Sequence, residues 1–228
     1  TLEEMKSDFT NNITHELKTP IAVAYAANDA LLNFGQADEK AKRDKYLSIS
    51  QEQLQRLSGL VEQILTMSME QRKTFRLRPE EITLATLLES LTEQHKLKAQ
   101  NPIDIDYRVE PANLTVFADR THFSNILSNL IDNAVKYSPG KAFIRIHCRE
   151  TADNGKVEIS VSDEGTGIAQ EKQKHIFDKF YLVPTGNLHN VKGYGLGLYY
   201  VKTMIEKHGG TVCVKSEPGH GSTFTITL

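Results

Sequence analysis

The sequence contains no tryptophan and only two cysteines, Cys148 and Cys213, among its 228 residues. No CxxC spacing is present, which disfavours a cysteine-bound metal site. Both cysteines fall in strand-like stretches, and we expect them to be buried, reduced thiols. Such cysteine usage indicates a reducing compartment.

A strong charge and a long apolar run are also missing. The formal net charge is -2, whereas a nucleic-acid-binding domain is more often strongly basic, so we expect no nucleic-acid partner. No apolar run approaches the roughly 20 residues that a membrane-spanning helix needs, and no signal peptide opens the chain. Because residues 1–4 already follow a polar helical pattern, we expect a fragment whose only membrane contact would come through an upstream segment.

Residues 1–74 contain two amphipathic patterns that predict two long helices. In each pattern, apolar residues three and four positions apart share one face. They are Phe9, Ile13, Leu17, Ile21, Ala24, Ala27 and Leu31, then Tyr46, Ile49, Leu57, Leu60, Ile64 and Met67 after a polar loop at residues 33–44. A helical hairpin leaves its apolar stripe half covered, so we expect a homodimer that forms a four-helix bundle.

The helical pattern breaks at the sequence FRLRPEE around Pro79, which predicts one domain at residues 1–74 and another at 75–228. In the second domain, periodicity predicts helices at residues 84–99, 122–137 and 199–208. It predicts strands at residues 103–109, 142–150, 156–163, 211–215 and 223–228. This mixture favours an α+β sandwich with helices on one face of a mixed sheet.

His15 lies at the edge of the first apolar stripe, in the sequence THELKTP. Neutral imidazole is a good nucleophile near pH 7 because its pKa is about 6.5. The neighbouring Glu16 could orient the ring or accept its proton, and the hydroxyl of Thr19, one turn further, could hold a water. Pro20 in the middle of a helix predicts a kink. A lone histidine at this position could equally be an ordinary helix residue.

A polar stripe runs along the helix predicted at residues 122–137. Asn129, Asn133 and Lys136 share it because they are spaced by four and three residues. The amide oxygens of this stripe are suitable Mg²⁺ ligands, and Lys136 could meet a phosphate. A solvated helix face would show the same spacing.

Two glycine-containing segments could approach a nucleotide. Asp163 lies at the end of a predicted strand, and its carboxylate could accept a hydrogen bond from an amine such as adenine N6. Gly165 and Gly167 would let the backbone pass close to a flat base. Taken alone, that segment could be a turn. The other segment, GYGLGL at residues 193–198, opens a predicted helix, and phosphates bind readily at helix N-termini. It is neither a Walker loop nor a dinucleotide fingerprint, and the polar residues 184–192 before it are typical of a mobile lid.

Together these segments resemble the bacterial histidine kinases of two-component systems. The sequence THELKTP at residues 14–20 resembles the H box of that family, and residues 129–137 and 163–167 resemble its N and G1 boxes. Residues 176–181, 193–197 and 219–224 resemble the F box, the G2 box and the closing glycine motif. Each box is weak evidence alone, but six in the same order are specific, and they extend over nearly the whole chain.

The resemblance implies a dimerisation and phosphotransfer hairpin followed by an ATP-binding sandwich of the kind shared with gyrase and the Hsp90 chaperones. It implies that ATP phosphorylates His15, with Glu16 as general base or orienting partner, and that the phosphate passes to an aspartate of a response-regulator receiver domain. Glu16 and Thr19 also fit the pattern associated with dephosphorylating that partner. The implied location is the cytoplasmic region of an inner-membrane-anchored sensor protein.

The resemblance also implies roles in the second domain. Asn133 would bind Mg²⁺, and Asp163 would recognise adenine. The remaining nucleotide contacts would come from Asn129, Lys136, Tyr137, Gly165, Gly167, Lys179, Lys192, Gly193, Gly195, Gly197, Leu198 and Thr223.

The chain departs from the family pattern most seriously at Leu182, where many members carry an arginine that meets the γ-phosphate. Leucine cannot supply that charge, although Lys179 or Lys192 could compensate. Two alternatives therefore stay open beside an active kinase. One is a dimeric, nucleotide-binding regulatory module with little kinase activity. The other is an ATPase of the gyrase and chaperone type, which would leave the THELKTP segment unexplained.

Overall fold

The structure is a computed structural model that describes residues 2–35, 38–69, 76–99, 101–152, 155–183 and 195–228. The chain divides into two compact units, Thr1–Phe75 and Arg76–Leu228.

The first unit contains two long helices, α1 (Leu2–Asn33) and α2 (Lys40–Met69), which pack against each other. The buried residues Ala24 and Ala27 lie on the predicted apolar face of α1, and their small side chains allow close packing. Asn28 Nδ2 donates to Ser50 Oγ at 3.2 Å across the pair. Helix α2 begins at Lys40, so the predicted loop at residues 33–44 extends five residues too far, which is more than one helical turn. Lysine, alanine and arginine favour helix at residues 40–43.

The second unit is built around a five-stranded mixed sheet. Its strands are β2 (Ile103–Glu110), β4 (Ala142–Glu150), β5 (Val157–Asp163), β7 (Gly221–Thr227) and β6 (Thr211–Glu217), in that spatial order. Strands β2 and β4 are parallel, and the other neighbours are antiparallel. A small antiparallel sheet pairs β1 (Pro79–Thr83) with β3 (Thr115–Asp119).

Three helices pack against strands of the large sheet: α3 (Leu84–Lys98), α4 (Arg120–Lys136) and α6 (Gly197–Lys207). A fourth helix, α5 (Gln170–Gln173), is a single turn. In β4 the alternating residues Ala142, Ile144, Ile146 and Cys148 are buried, as expected for a strand with one covered face. On α4 the core residues are Phe123, Ile126, Leu127, Leu130, Ile131 and Ala134. The predicted fold class, a helical hairpin followed by an α/β sandwich with a mixed sheet, is confirmed.

Two further expectations differ from the structure. The small β1–β3 sheet was not predicted, because the sequence Pro79–Thr83 begins with proline and two glutamates and looks like an interruption. Cys148 is buried, but Cys213 is exposed, so the prediction of two buried thiols is wrong for Cys213. Strand β6 is an edge strand whose Val212 and Val214 are partly buried, and alternation places Cys213 on the opposite, open face.

Candidate functional site

Asp163 is the last residue of β5, and its carboxylate is half-buried. Burial raises the pKa of the Asp163 carboxyl, and the backbone N–H groups of Gly165 and Ser222, which donate to it, offset part of that rise. The Gly165 N to Asp163 Oδ1 distance is 2.8 Å. These bonds fix a carboxylate at the end of a strand with acceptor capacity left for one further donor.

The C-terminal end of α4 contacts the same segment. Thr166 N donates to the carbonyl oxygen of Tyr137 at 3.0 Å. A Cβ atom at Gly165 would lie 2.7 Å from both Tyr137 O and Asp163 Oδ1, so only glycine fits there. Burial raises the pKa of the Tyr137 phenol, which keeps it a neutral hydrogen-bonding group, and Lys136 Nζ lies 5.1 Å from the centre of the Tyr137 ring.

One face of α4 also meets the beginning of α6. Asn129 Nδ2 donates to Asn125 O at 2.8 Å, which turns the amide oxygen of Asn129 outward from its own helix. A Cβ at Gly197, the first residue of α6, would lie 2.8 Å from that oxygen. Asn133, one turn further along α4, is half-buried. The polar stripe of α4, at Asn129, therefore lies beside the N-terminus of α6, which carries a partial positive charge.

The segment before the undescribed residues 184–194 reaches the same helix end. Phe180 N donates to Gly195 O at 3.0 Å. Lys179 Nζ lies 5.5 Å from the ring centre of Phe180 and 5.4 Å from that of Tyr199, in the first turn of α6. A cation is thus placed near the start of α6, between two aromatic rings.

The comparisons with known proteins agree with this geometry. Residues 118–228 match the family model described as histidine kinase-, DNA gyrase B-, and HSP90-like ATPase, and residues 5–73 match the His Kinase A (phospho-acceptor) domain. The chain belongs to the sensor histidine kinase family. The matched ATPase family binds ATP, and the acceptor at Asp163, the glycine contacts and the start of α6 suit a nucleotide.

Two similar sensor proteins align with the whole length of this chain. The sensor protein RprX of Bacteroides fragilis is 39% identical over 228 residues, which are 100% of this chain and 44% of RprX. The sensor-like histidine kinase SenX3 of Mycobacterium tuberculosis is 34% identical over 230 residues, covering 100% of this chain and 54% of SenX3. The chain therefore spans about half the length of the curated relatives it matches.

Solved histidine kinase structures are also similar. The histidine kinase ThkA, crystallised in complex with the response regulator protein TrrA, matches with a TM-score of 0.63 and 26% identity. That match covers 97% of this chain and 60% of the ThkA chain.

Four of the predicted site residues lie, wholly or with their side chains, outside the described part of the structure. His15 and Glu16 lie within α1, but their side chains are outside the described residues, and so are Lys192 and Gly193. Thr19 is exposed on α1.

Of the other predicted residues, Gly167 packs its backbone against Glu217, and Leu198 is half-buried in the first turn of α6. Thr223 is half-buried on β7, and its hydroxyl oxygen lies 2.9 Å from that of Ser162. Leu182 is 41% exposed. In the described parts of the chain, no helix is both long and apolar enough to cross a bilayer.

Sequence reasoning missed several polar groups around the site. Ser222 donates its backbone N–H to Asp163, and His122 Nδ1 lies 3.0 Å from the Tyr200 hydroxyl between α4 and α6. The Ser222 contact follows from the strand register, in which Asp163 pairs with Ser222. A sequence alone indicates two strands but not their register, so it carries no signal for this bond.

Proposed function

We propose that this chain catalyses phosphorylation of its own His15 by ATP and then transfers the phosphoryl group to an aspartate of a response-regulator receiver domain. The observation that carries the proposal is the convergence of Asp163, Tyr137, Asn129 and Gly197 in one unit. The other unit places the THELKTP segment on a long helix.

In the proposed reaction, a neutral imidazole nitrogen of His15 forms a bond to the γ-phosphorus of ATP. The bond from that phosphorus to the β–γ bridging oxygen breaks, and ADP leaves. Glu16 accepts the proton from the other ring nitrogen. Asn133, with Asn129 beside it, would hold Mg²⁺, whose chemical contribution is to neutralise phosphate charge. Asp163 would bind adenine, and Lys136 and Tyr137 would contact the nucleotide.

Incubation with γ-labelled ATP and Mg²⁺ tests the assignment of His15. We expect an acid-labile, alkali-stable label on the wild-type chain and none on His15→Gln. His220→Gln is the matched control, because His220 is exposed on the β6–β7 turn, and it should label normally. Acid-labile label that persists on His15→Gln would contradict the proposal.

The response-regulator partner is proposed because the similar kinase ThkA was crystallised with TrrA. Labelled chain mixed with candidate receiver domains should lose label to an aspartate of one of them.

Thr19, which is exposed one turn after His15, is proposed to hold the attacking water in a phosphatase reaction. We expect Thr19→Ala to keep autophosphorylation and to dephosphorylate the receiver more slowly, whereas equal dephosphorylation rates would contradict this role.

Two further features concern the whole protein. Apolar residues exposed on both helices of the first unit support a homodimer. We also propose that the chain is the cytoplasmic region of an inner-membrane-anchored sensor, because two of the similar relatives are named as sensors and are about twice as long as this chain.

A regulatory nucleotide-binding module with little kinase activity is the second candidate, and Leu182 favours it. An exposed leucine offers the γ-phosphate no charge.

In an active kinase we propose that Lys179 supplies the cation, since its ammonium already lies near the first turn of α6. We expect Lys179→Met to slow labelling about tenfold or more, with Lys174→Met as an exposed control. Tight ATP binding without label on the wild type would favour the regulatory module.

A further inference from the structure

A single serine hydroxyl joins the two ends of the segment that carries Asp163. Residues 163–168, here named the adenine loop, begin at the end of β5 and end at Ile168. Ile168 N donates to Ser216 Oγ at 2.8 Å, and Ser216 Oγ donates to the carbonyl of Gly221 at 2.8 Å. The Ser222 hydroxyl oxygen lies 2.9 Å from Ser216 Oγ and can donate a hydrogen bond to it. Ser216 therefore links the far end of the adenine loop to the start of β7.

The start of β7 holds the near end of the loop. Ser222 donates its backbone N–H to the Asp163 carboxylate. A Cβ at the preceding Gly221 would lie 1.9 Å from Asp163 O, so the two backbones are in direct contact. Gly221 therefore cannot move toward Asp163 without displacing it.

Gln173, in the single turn α5, completes the arrangement. Its Nε2 donates to Ile168 O and to Ser216 O, each at 2.8 Å. The amide group has two N–H donors, so both bonds can form at once. Gln173 thus bonds the far end of the adenine loop and the strand that supports it.

The middle of the loop also rests on the β6–β7 turn. Gly219 N donates to Thr166 O at 2.9 Å. Gly167 has φ +68°, and a Cβ there would lie 2.0 Å from Glu217 O. With backbones this close, the loop follows the position of the turn.

We propose that Ser216 and Gln173 are positioning residues that hold the adenine loop, and with it the Asp163 carboxylate, in the shape that binds the adenine base. The inference rests on the proposed function. Neither residue needs to touch the nucleotide, because both act through Asp163. Loss of the Ser216 hydroxyl leaves Ile168 N and Gly221 O without that partner, and the loop must then become ordered when nucleotide binds, which lowers affinity.

Calorimetric titration of the 228-residue chain with the analogue AMPPNP and Mg²⁺ tests the proposal. We expect Ser216→Ala to raise the Kd about tenfold, and Ser216→Thr, which keeps a hydroxyl, to stay closer to wild type than to Ser216→Ala. Gln173→Glu keeps the side-chain shape but places a carboxylate oxygen against two carbonyl oxygens, so it should raise the Kd at least as much. In labelling assays, both weakened variants should show a raised KM for ATP with kcat within about twofold of wild type.

Ser160→Ala is the matched control, because Ser160 lies on the same sheet and its Oγ donates to His147 O, away from the loop. It should bind AMPPNP as the wild type does. Wild-type affinity in folded Ser216→Ala and Gln173→Glu would overturn the positioning role and leave the proposed function standing. An equal loss in Ser160→Ala, or in Ser216→Thr, would also overturn it, since the hydroxyl at 216 would then have no specific effect. If the wild-type chain itself fails to bind AMPPNP, the proposed function fails with it.

Discussion

Asp163 occupies an environment that opposes its charge, although the proposed role needs the carboxylate form. Burial raises the pKa of this carboxyl despite the two N–H donors that face it. Protonation, which removes an acceptor, therefore begins at a higher pH than in an exposed aspartate, whose pKa is about 3.9. Adenine affinity should accordingly weaken early as the solution is acidified.

The corresponding prediction compares AMPPNP binding by the wild type and Asp163→Asn between pH 5 and 8. We expect wild-type affinity to fall toward the acidic end, and the variant to bind at least tenfold more weakly at pH 7.5 with a flatter pH dependence. Asp104→Asn, at an exposed aspartate paired with Lys141 on the edge strand, is the control. Equal pH profiles for wild type and Asp163→Asn would show that the carboxylate does not bind the base.

At the scale of elements, periodicity predicted most of the helices and strands because their buried faces repeat with a clear period. Helix α4 carries Phe123, Ile126 and Leu130 at helical spacing, and β4 alternates cleanly. The β1–β3 sheet has only five residues per strand and an acidic start, so its pattern is too short to recognise. The contact between Asn129 and Gly197 was not predictable either, because helix packing depends on the whole core rather than on either motif.

That contact makes Gly197→Ala informative. The added Cβ would lie 2.8 Å from Asn129 Oδ1, whose amide is already bonded to Asn125 O. Either the Asn129 side chain turns away, which breaks its bond to Asn125 O, or the first turn of α6 moves away from α4. Both movements displace groups of the proposed nucleotide site, so we expect AMPPNP affinity to fall at least tenfold, as measured by calorimetry. Gly140→Ala is the control, because no atom lies within 4 Å of the added carbon, and its positive φ affects stability but not the site. Unchanged binding by Gly197→Ala would mean that nucleotide does not use this helix end.

Helices α3 and α4 are joined by a buried histidine. His95 Nδ1 bonds Leu91 O at 2.8 Å, and Nε2 lies 3.1 Å from Asp132 Oδ1 and 3.2 Å from Ser128 Oγ. Burial and the charge of Lys98 oppose the charged imidazolium, but the bonds to Asp132 and Leu91 and the Asp132 charge outweigh them, so the pKa of His95 is raised. The folded state then holds this proton more tightly than the unfolded chain does.

The stabilisation from a raised pKa is fully present below the unfolded value of about 6.5 and is lost as the pH rises through the folded value. We expect the difference in unfolding free energy between wild type and His95→Gln to be larger at pH 5.5 than at pH 8.5, measured by urea denaturation. Asp132→Asn should remove most of this pH dependence while keeping the ring. A difference that grows with pH would contradict the assignment.

At the scale of the whole molecule, the proposed nucleotide site combines residues from segments that are far apart in the sequence. Tyr137, Asp163, Gly197 and Ser222 come together only because β5 and β7 are neighbours and α4 lies beside α6. The motifs identified most of these residues, since each motif is local. The supporting polar contacts of Ser216 and Gln173 were not identified, although strand alternation places Ser216 on the same face as Val212 and Val214, where a polar side chain signals an internal partner.

In the first unit, the described part of the helical hairpin leaves several of its own apolar side chains exposed. Leu47, Leu54 and Val61 on α2 are 49%, 57% and 45% exposed and are seven residues apart, so they follow one side of the helix. On helix α1, Ile21, Tyr25 and Leu32 are exposed at intervals of four and seven residues, which also place them on one side of the helix. A second copy of the same hairpin would cover these residues, which is the physical basis of the proposed homodimer.

Light scattering after size exclusion tests this interface. We expect the 25.6 kDa chain to elute with twice its mass, and the double variant Leu54→Glu, Val61→Glu to elute as a monomer, since charges would be buried unpaired. Leu97→Glu is the control, because Leu97 is 87% exposed on α3 of the other unit. This control variant should remain dimeric.

The monomeric variant should bind AMPPNP with wild-type affinity, because the site residues all belong to the second unit. A monomeric wild type at micromolar concentration would contradict the dimer, and loss of AMPPNP binding with loss of the dimer would mean that the nucleotide site depends on the first unit.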